Sequence, residues 1–207
     1  MQIKEEIFRK LDTFLGDEKK IEFLENLLKK ELDNETKKFI MLKIAELYEK
    51  KNLYNSSLHY LLSAATLADK WSEKIPLLMK ITQIYIKLFD FINAEDYFKQ
   101  AIEISNLNDI ERLRQEYINY YLKEAKFYEQ KNRYRKAIKF YEFLANKGIE
   151  RYEMLNKVAD LYELAAMPVE AGRIRRQIQF ELESRQEKAE EQKRKALIEE
   201  SRAERLV

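Results

Sequence analysis

Apolar side chains recur at three- and four-residue steps along most of this chain, with short polar breaks between the runs. From Ile118 to Leu144, Tyr121, Leu122, Ala125 and Tyr128 share one helical face. Lys131, Asn132 and Arg133 then form a polar break. Tyr134, Ala137, Ile138, Tyr141 and Leu144 continue on the same period, which predicts a helical hairpin. A helix of about 14 residues with one apolar face cannot bury that face alone, so such a pair folds back on itself and packs on its neighbours.

The hairpin recurs. Tyr48, Tyr85, Tyr128 and Tyr162 are separated by 37, 43 and 34 residues, and Ala64, Ala101, Leu144 and Ile178 keep the same intervals. Between them lie the small residues Ser57, Ala94, Ala137 and Ala171, each followed four positions later by Leu61, Phe98, Tyr141 and Arg175. Bulky residues fill the seam between helices, and small ones set how closely the helices approach. The segments FDFINAEDYFKQAIEI and KNRYRKAIKFYEFLA resemble the second helix of the tetratricopeptide repeat (TPR), a helix-turn-helix unit of about 34 residues. The resemblance covers about residues 38 to 180 and departs from the family at Arg175, where a bulky apolar residue is usual, and in lacking the closing proline.

This resemblance implies an all-α, TPR-like α-solenoid of about five helical hairpins with a long charged C-terminal helix. Residues 1–35 are expected to form a degenerate N-terminal hairpin, with Phe8, Leu11, Leu24 and Leu27 in register and Lys20 at the small position. Repeats are expected at 38–71, 75–107, 109–147 and 151–180. The extra residues around Ser105 to Glu116 lengthen the first helix of the third repeat, with Asn108 or Asp109 as its cap. Residues 181–207 are expected to form a charged helical extension, with Glu181 and Arg185, Glu190 and Arg194, and Glu191 and Lys195 spaced four apart. Each such pair contributes about 0.2 to 0.5 kcal/mol. Leu182, Ala189, Ala196 and Ala203 recur every seven residues. A coiled-coil seam needs two apolar positions per heptad and this stripe supplies one, mostly alanine, so the segment is read first as a projecting capping helix, with a homo-oligomer through it left open.

Composition narrows the chemistry. Of 207 residues, 45% are apolar and 37% charged, with 3 Gly and 2 Pro, which suits long helices covered in ion pairs. The 39 basic and 37 acidic residues leave a net charge of +2, so the one-sided field of a general nucleic-acid binder is missing. No cysteine is present, so thiolate metal and redox chemistry is excluded and a cytoplasmic home is expected. The opening residues lack the apolar core of a signal peptide, and no run reaches the roughly 20 apolar residues of a membrane span. Asn55, Ser56 and Ser57 match a glycosylation acceptor but are read as a helix entry. His59 stands alone and no glycine-rich phosphate loop occurs, so neither an enzyme nor a cofactor or metal site is expected. Trp71 is expected to pack in the junction after its hairpin.

In the family this chain resembles, the first helix of each unit lines a concave face. Carried onto this register, the face holds Lys43, Lys80, Lys123 and Lys157, with Glu46, Gln83, Lys126 and Asp160 beside them and Asn119 and Asn156 nearby. Leu42, Met79 and Leu122 are the expected apolar floor. The asparagines do not match the arrangement of the family's carboxylate-clamp members. The expected function is therefore a non-enzymatic adaptor or scaffold that holds a protein partner, an acidic peptide segment or a helix, in this groove. The alternative is a structural subunit that resembles the soluble attachment protein type of adaptor and makes its contacts through hairpin edges and the C-terminal helix. A third reading is nucleic-acid binding through Arg173, Arg175, Arg176 and the basic run at 193–195.

Overall fold

The computed structural model describes residues 2–204. It contains ten helices, α1 (Gln2–Asp12), α2 (Asp17–Leu28), α3 (Asn34–Lys50), α4 (Tyr54–Thr66), α5 (Trp71–Lys87), α6 (Phe91–Glu103), α7 (Leu107–Gln130), α8 (Tyr134–Asn146), α9 (Arg151–Leu164) and α10 (Pro168–Glu204). No strand occurs among the described residues. The chain divides into two compact units, Met1–Tyr120 and Tyr121–Val207, with the boundary inside α7.

In the first unit, opposite faces of α3 serve two clusters. Ile40, Ile44 and Leu47 meet Ile7 and Leu11 of α1 and Ile21 and Leu24 of α2. Ala45 turns the other way, into a cluster with Leu58, Leu61 and Ala65 of α4 and Leu77, Ile81 and Ile84 of α5. Adjacent residues thus commit one helix to two layers, as a repeated hairpin requires. Phe98 of α6 stacks on Tyr117 of α7 at 4.0 Å between ring centroids. In the second unit Tyr121 stacks on Phe143 at 4.5 Å, and Leu144, Val158 and Ala159 are fully buried.

The small positions are as tightly enclosed as their size suggests: Ser57, Ala94, Ala137 and Ala171 are all buried. At Ser57 the hydroxyl has no hydrogen-bond partner. Each preceding tyrosine is half-buried, and twelve residues on lies a second ring. Tyr48 stacks on Tyr60, Tyr85 on Tyr97 and Tyr128 on Phe140, with interplanar angles of 13°, 19° and 16°. In the last hairpin Ile174 takes the place of the second ring.

The four hairpins also turn alike. Asn52, Phe89, Asn132 and Ala166, each four residues after the tyrosine, have φ of 58°, 62°, 55° and 57°. The next residue's N–H reaches back to the tyrosine carbonyl: Leu53 to Tyr48 at 2.9 Å, Asp90 to Tyr85 at 3.0 Å, Arg133 to Tyr128 at 2.8 Å and Met167 to Tyr162 at 2.8 Å. This is the Schellman helix stop, which satisfies carbonyls that the helix end would leave unpaired. Glycine, the usual residue there, is used at none of the four.

Two details differ from the sequence-based expectation. Asn106 caps α7 in place of Asn108 or Asp109: its Oδ1 accepts from the Asp109 N–H at 3.0 Å and its Nδ2 donates to Asp109 Oδ2 at 2.6 Å. The reciprocal bond makes Asn106 the better start. Trp71 does not fill a junction; it is the first residue of α5 and 61% exposed. The charged segment continues α10, which runs unbroken from Pro168, a residue preorganised for a helix start. Arg151 at the start of α9 grips Glu181 of α10 through two bonds of 2.9 and 2.7 Å, and the Arg185 guanidinium lies over the Tyr152 ring. Beyond Arg185 the α10 side chains through Ala196 are exposed. Ala203 of the heptad stripe lies outside the residues whose side chains are described, and residues 205–207 lie outside the described chain.

Candidate peptide-binding face

In the first unit the lysines expected to line the face are held by neighbouring carboxylates. Lys43 Nζ donates to Glu46 Oε2 at 2.8 Å, one turn along α3, and lies 5.2 Å from the Phe8 ring centroid. Lys80 on α5 reaches back to Glu49 of α3 at 2.7 Å and also donates to Gln83 at 3.2 Å. Lys87 takes the other Glu49 oxygen at 2.7 Å. Burial opposes the Glu49 charge, but the two lysines outweigh it and hold the carboxyl below its usual range. An open cavity of about 380 Å³ beside them is lined by Glu46, Glu49, Lys50, Asn52, Tyr54 and Lys87. Met79 is buried and offers no floor, whereas Leu42 is half-buried. Asn119 is exposed on α7.

The second unit is different. Lys123 and Lys126 on α7 and Asn156 and Lys157 on α9 are exposed, and Leu122 is half-buried. None of the three lysines makes an ion pair among the described residues. Asp160 is engaged: it accepts from Arg175 at 3.2 Å, and the same guanidinium binds Glu163. Arg175 therefore stands at a position where Leu61 joins a cluster with α5 and Phe98 stacks on α7, and it satisfies itself within its own hairpin instead. This also removes Arg175 from the basic cluster of the nucleic-acid reading, and Lys195 pairs with Glu191 at 2.6 Å.

Several working residues had only a faint signal in the sequence. The tyrosine hydroxyls bind glutamates: Tyr48 and Tyr60 share Glu25 at 3.1 and 2.8 Å, Tyr141 binds Glu129 and Tyr162 reaches Glu142 at 3.3 Å. Burial first, and the adjacent carboxylate second, push these hydroxyls above their usual pKa. Lys38 is buried between Glu35 and Glu73, so that α3 is tied to α5. His59 is exposed and meets the Tyr60 ring edge-on. Among the described residues no group of His, Cys, Asp and Glu could hold a metal ion, and no helix is long and apolar enough to cross a membrane.

Residues 75–106, which hold most of α5 and all of α6, match the tetratricopeptide repeat family model. The same ring stack and the same turn occur in the hairpins on either side. The chain thus carries a tetratricopeptide repeat within a series of similar helical hairpins. No curated protein matches its sequence. Among solved structures the TPR-like chain is similar to the MamA protein, at 18% identity over 91% of this chain and 93% of that one, with a TM-score of 0.43. It is also similar to a putative kinesin light chain with nearly identical TPR-like repeats from Podosopora anserina, at 13% identity over 84% and 90% of the two chains and a TM-score of 0.41. A third likeness is BtubC (BKLC) from P. vanneervenii, at 14% identity over 79% and 72% and a TM-score of 0.38. TPR-like hairpins support a role as a protein-interaction adaptor.

Proposed function

We propose that this TPR-like chain is a non-enzymatic, cytoplasmic adaptor that holds an acidic peptide segment on the first-helix face of its second unit. The carrying observation is the contrast between the two units: Lys43 and Lys80 are neutralised by Glu46 and Glu49, while Lys123, Lys126 and Lys157 are exposed without an ion pair among the described residues. A free lysine offers three donors to a carboxylate at no cost of a prior partner, whereas a paired one must first give its partner up. Asn156 beside Lys157 adds a neutral donor and acceptor.

The test is fluorescence anisotropy with a short labelled peptide of alternating glutamate and leucine. Lys123→Glu/Lys126→Glu/Lys157→Glu is expected to weaken binding by at least about tenfold, and Lys43→Gln/Lys80→Gln to leave it nearly unchanged, with both variants confirmed helical by circular dichroism. Equal affinity for the wild type and the triple variant overturns the proposal.

The second reading, a subunit that docks through α10 to a larger assembly or to a second copy, is favoured by the exposed α10 side chains beyond Arg185. A chain ending at Arg185 keeps both the Glu181 and Tyr152 contacts and is expected, on that reading, to lose its assembly while remaining folded.

A further inference from the structure

The turn between α7 and α8 carries a second charged feature that the groove does not use. Residues 131–139 read KNRYRKAIK, with five cations and no acid. Arg133, Arg135 and Lys136 line one open cavity of about 380 Å³, together with Asn132, Tyr134 and Ala165 at the end of α9. All of these residues belong to the second unit. Arg133 and Arg135 are exposed, and neither makes an ion pair among the described residues. Lys136 lies over the Tyr128 ring, 5.4 Å from its centroid. Four acids on the adjoining helices are already engaged: Glu129 accepts from Tyr141, Glu142 from Tyr162, and Asp160 and Glu163 from Arg175.

The placement runs against local helix stability. Arg133 is the N-cap of α8 and makes no side-chain cap, and Arg135 and Lys136 follow in the first turn. The helix macrodipole disfavours cations there. The equivalent turns are built otherwise: the counterparts of Arg133 are Leu53, Asp90 and Met167, and those of Arg135 are Asn55, Ile92 and Val169. Asp90 caps α6 in the usual way, accepting from the Asn93 N–H at 3.2 Å. A local rule broken at one hairpin of four, with the broken residues gathered around one cavity, points to a ligand that supplies the missing negative charge.

We propose that this cavity binds a phosphomonoester on a protein partner, a phosphoserine or phosphothreonine side chain. A phosphomonoester brings a charge of about −1.5 to −2 and three strong acceptor oxygens, against −1 for a carboxylate, and suits two guanidinium forks better than a lone carboxylate does. A nucleic acid offers a line of singly charged phosphodiesters and calls for a basic track, whereas the two exposed arginines here converge on one cavity. The site does not rest on the groove reading, since it uses neither Lys123, Lys126 nor Lys157.

The test uses the full chain and four labelled probes: a short phosphoserine peptide with glycine and alanine flanks, its serine and glutamate counterparts, and an oligouridylate. The phosphopeptide is expected to bind at least about tenfold more tightly than the serine peptide, and to lose that advantage with Arg133→Glu/Arg135→Glu and with Arg133→Gln/Arg135→Gln. Acids at these positions favour α8, so the first pair should fold at least as well as the wild type. Lys123→Glu/Lys126→Glu/Lys157→Glu should leave the phosphopeptide advantage in place, which separates a failure of this site from a failure of the groove. Equal binding of phosphorylated and unphosphorylated peptides, tighter binding of the oligouridylate, or an advantage retained in both arginine variants overturns the proposal.

Discussion

Ala166→Gly tests the repeated turn directly. Ala166 ends α9 at φ 57°, in the left-handed region, where its Cβ crowds the following carbonyl. That conformation costs a residue with a Cβ about 1–2 kcal/mol. Glycine removes the cost but gives the unfolded chain extra freedom that takes back about 0.5–1 kcal/mol. Ala166 is exposed, so loss of its methyl group opens no cavity. The net expectation is a stabilisation of about 0.5–1 kcal/mol, or roughly 1–3 °C in midpoint for a chain of this size. Thermal and urea unfolding followed by helical circular dichroism measure it. Ala165→Gly is the control: Ala165 has φ −82° and ψ 6°, ordinary for L-residues, so glycine there should destabilise by about 0.5–1 kcal/mol. If both substitutions destabilise alike, α9 does not end in this turn and the equivalence of the four hairpins fails.

Ser57→Ala removes a buried hydroxyl that has no partner at a position where the other hairpins use alanine. It is expected to stabilise by about 1 kcal/mol in the same unfolding assay, and a loss of stability would mean that the hydroxyl is satisfied. Glu181→Gln cuts the double contact with Arg151 and should cost about 1 kcal/mol at neutral pH, the pair being only partly buried. The Arg151 guanidinium, with Gln177, depresses the Glu181 carboxyl to about 2. Its contribution is therefore complete above the ordinary carboxylate value of 4.5 and disappears as the pH falls towards 2. Urea midpoints of the wild type and the variant should accordingly converge across that window, and a constant gap would refute the assignment.

The sequence carried the hairpins clearly because their spacing is fixed by size. A bulky aromatic and a small residue at constant separation survive any change of surface, so Tyr48, Tyr85, Tyr128 and Tyr162 and the residues from Ser57 to Ala171 show their register without coordinates. The turns were hidden because Phe89 and Ala166 are not turn formers, and only the shared distance from the tyrosine marks them. The second ring of each stack was hidden because its identity drifts from Tyr60 to Tyr97 to Phe140 and then to Ile174. The lysine series was legible as a series but not as two kinds of lysine. Glu49 neutralises Lys80 from a different helix, a contact that periodicity within one helix cannot show. Trp71 was misplaced for a related reason: an apolar residue at a helix start has no fixed side of the hairpin to face.

An array of similar hairpins has no built-in last member, since the outer side of each one is a template for the next. Arg175 changes that outer side in the hairpin of α9 and α10. Held by Asp160 and Glu163, it presents an exposed, charged surface where a bulky apolar side chain would invite another helix. A hairpin added by duplication after α10 would meet a guanidinium and two carboxylates instead of a seam, and would have to strip water from all three before docking. The same barrier faces a second molecule approaching this side head to tail, so one substituted position disfavours open-ended polymerisation there.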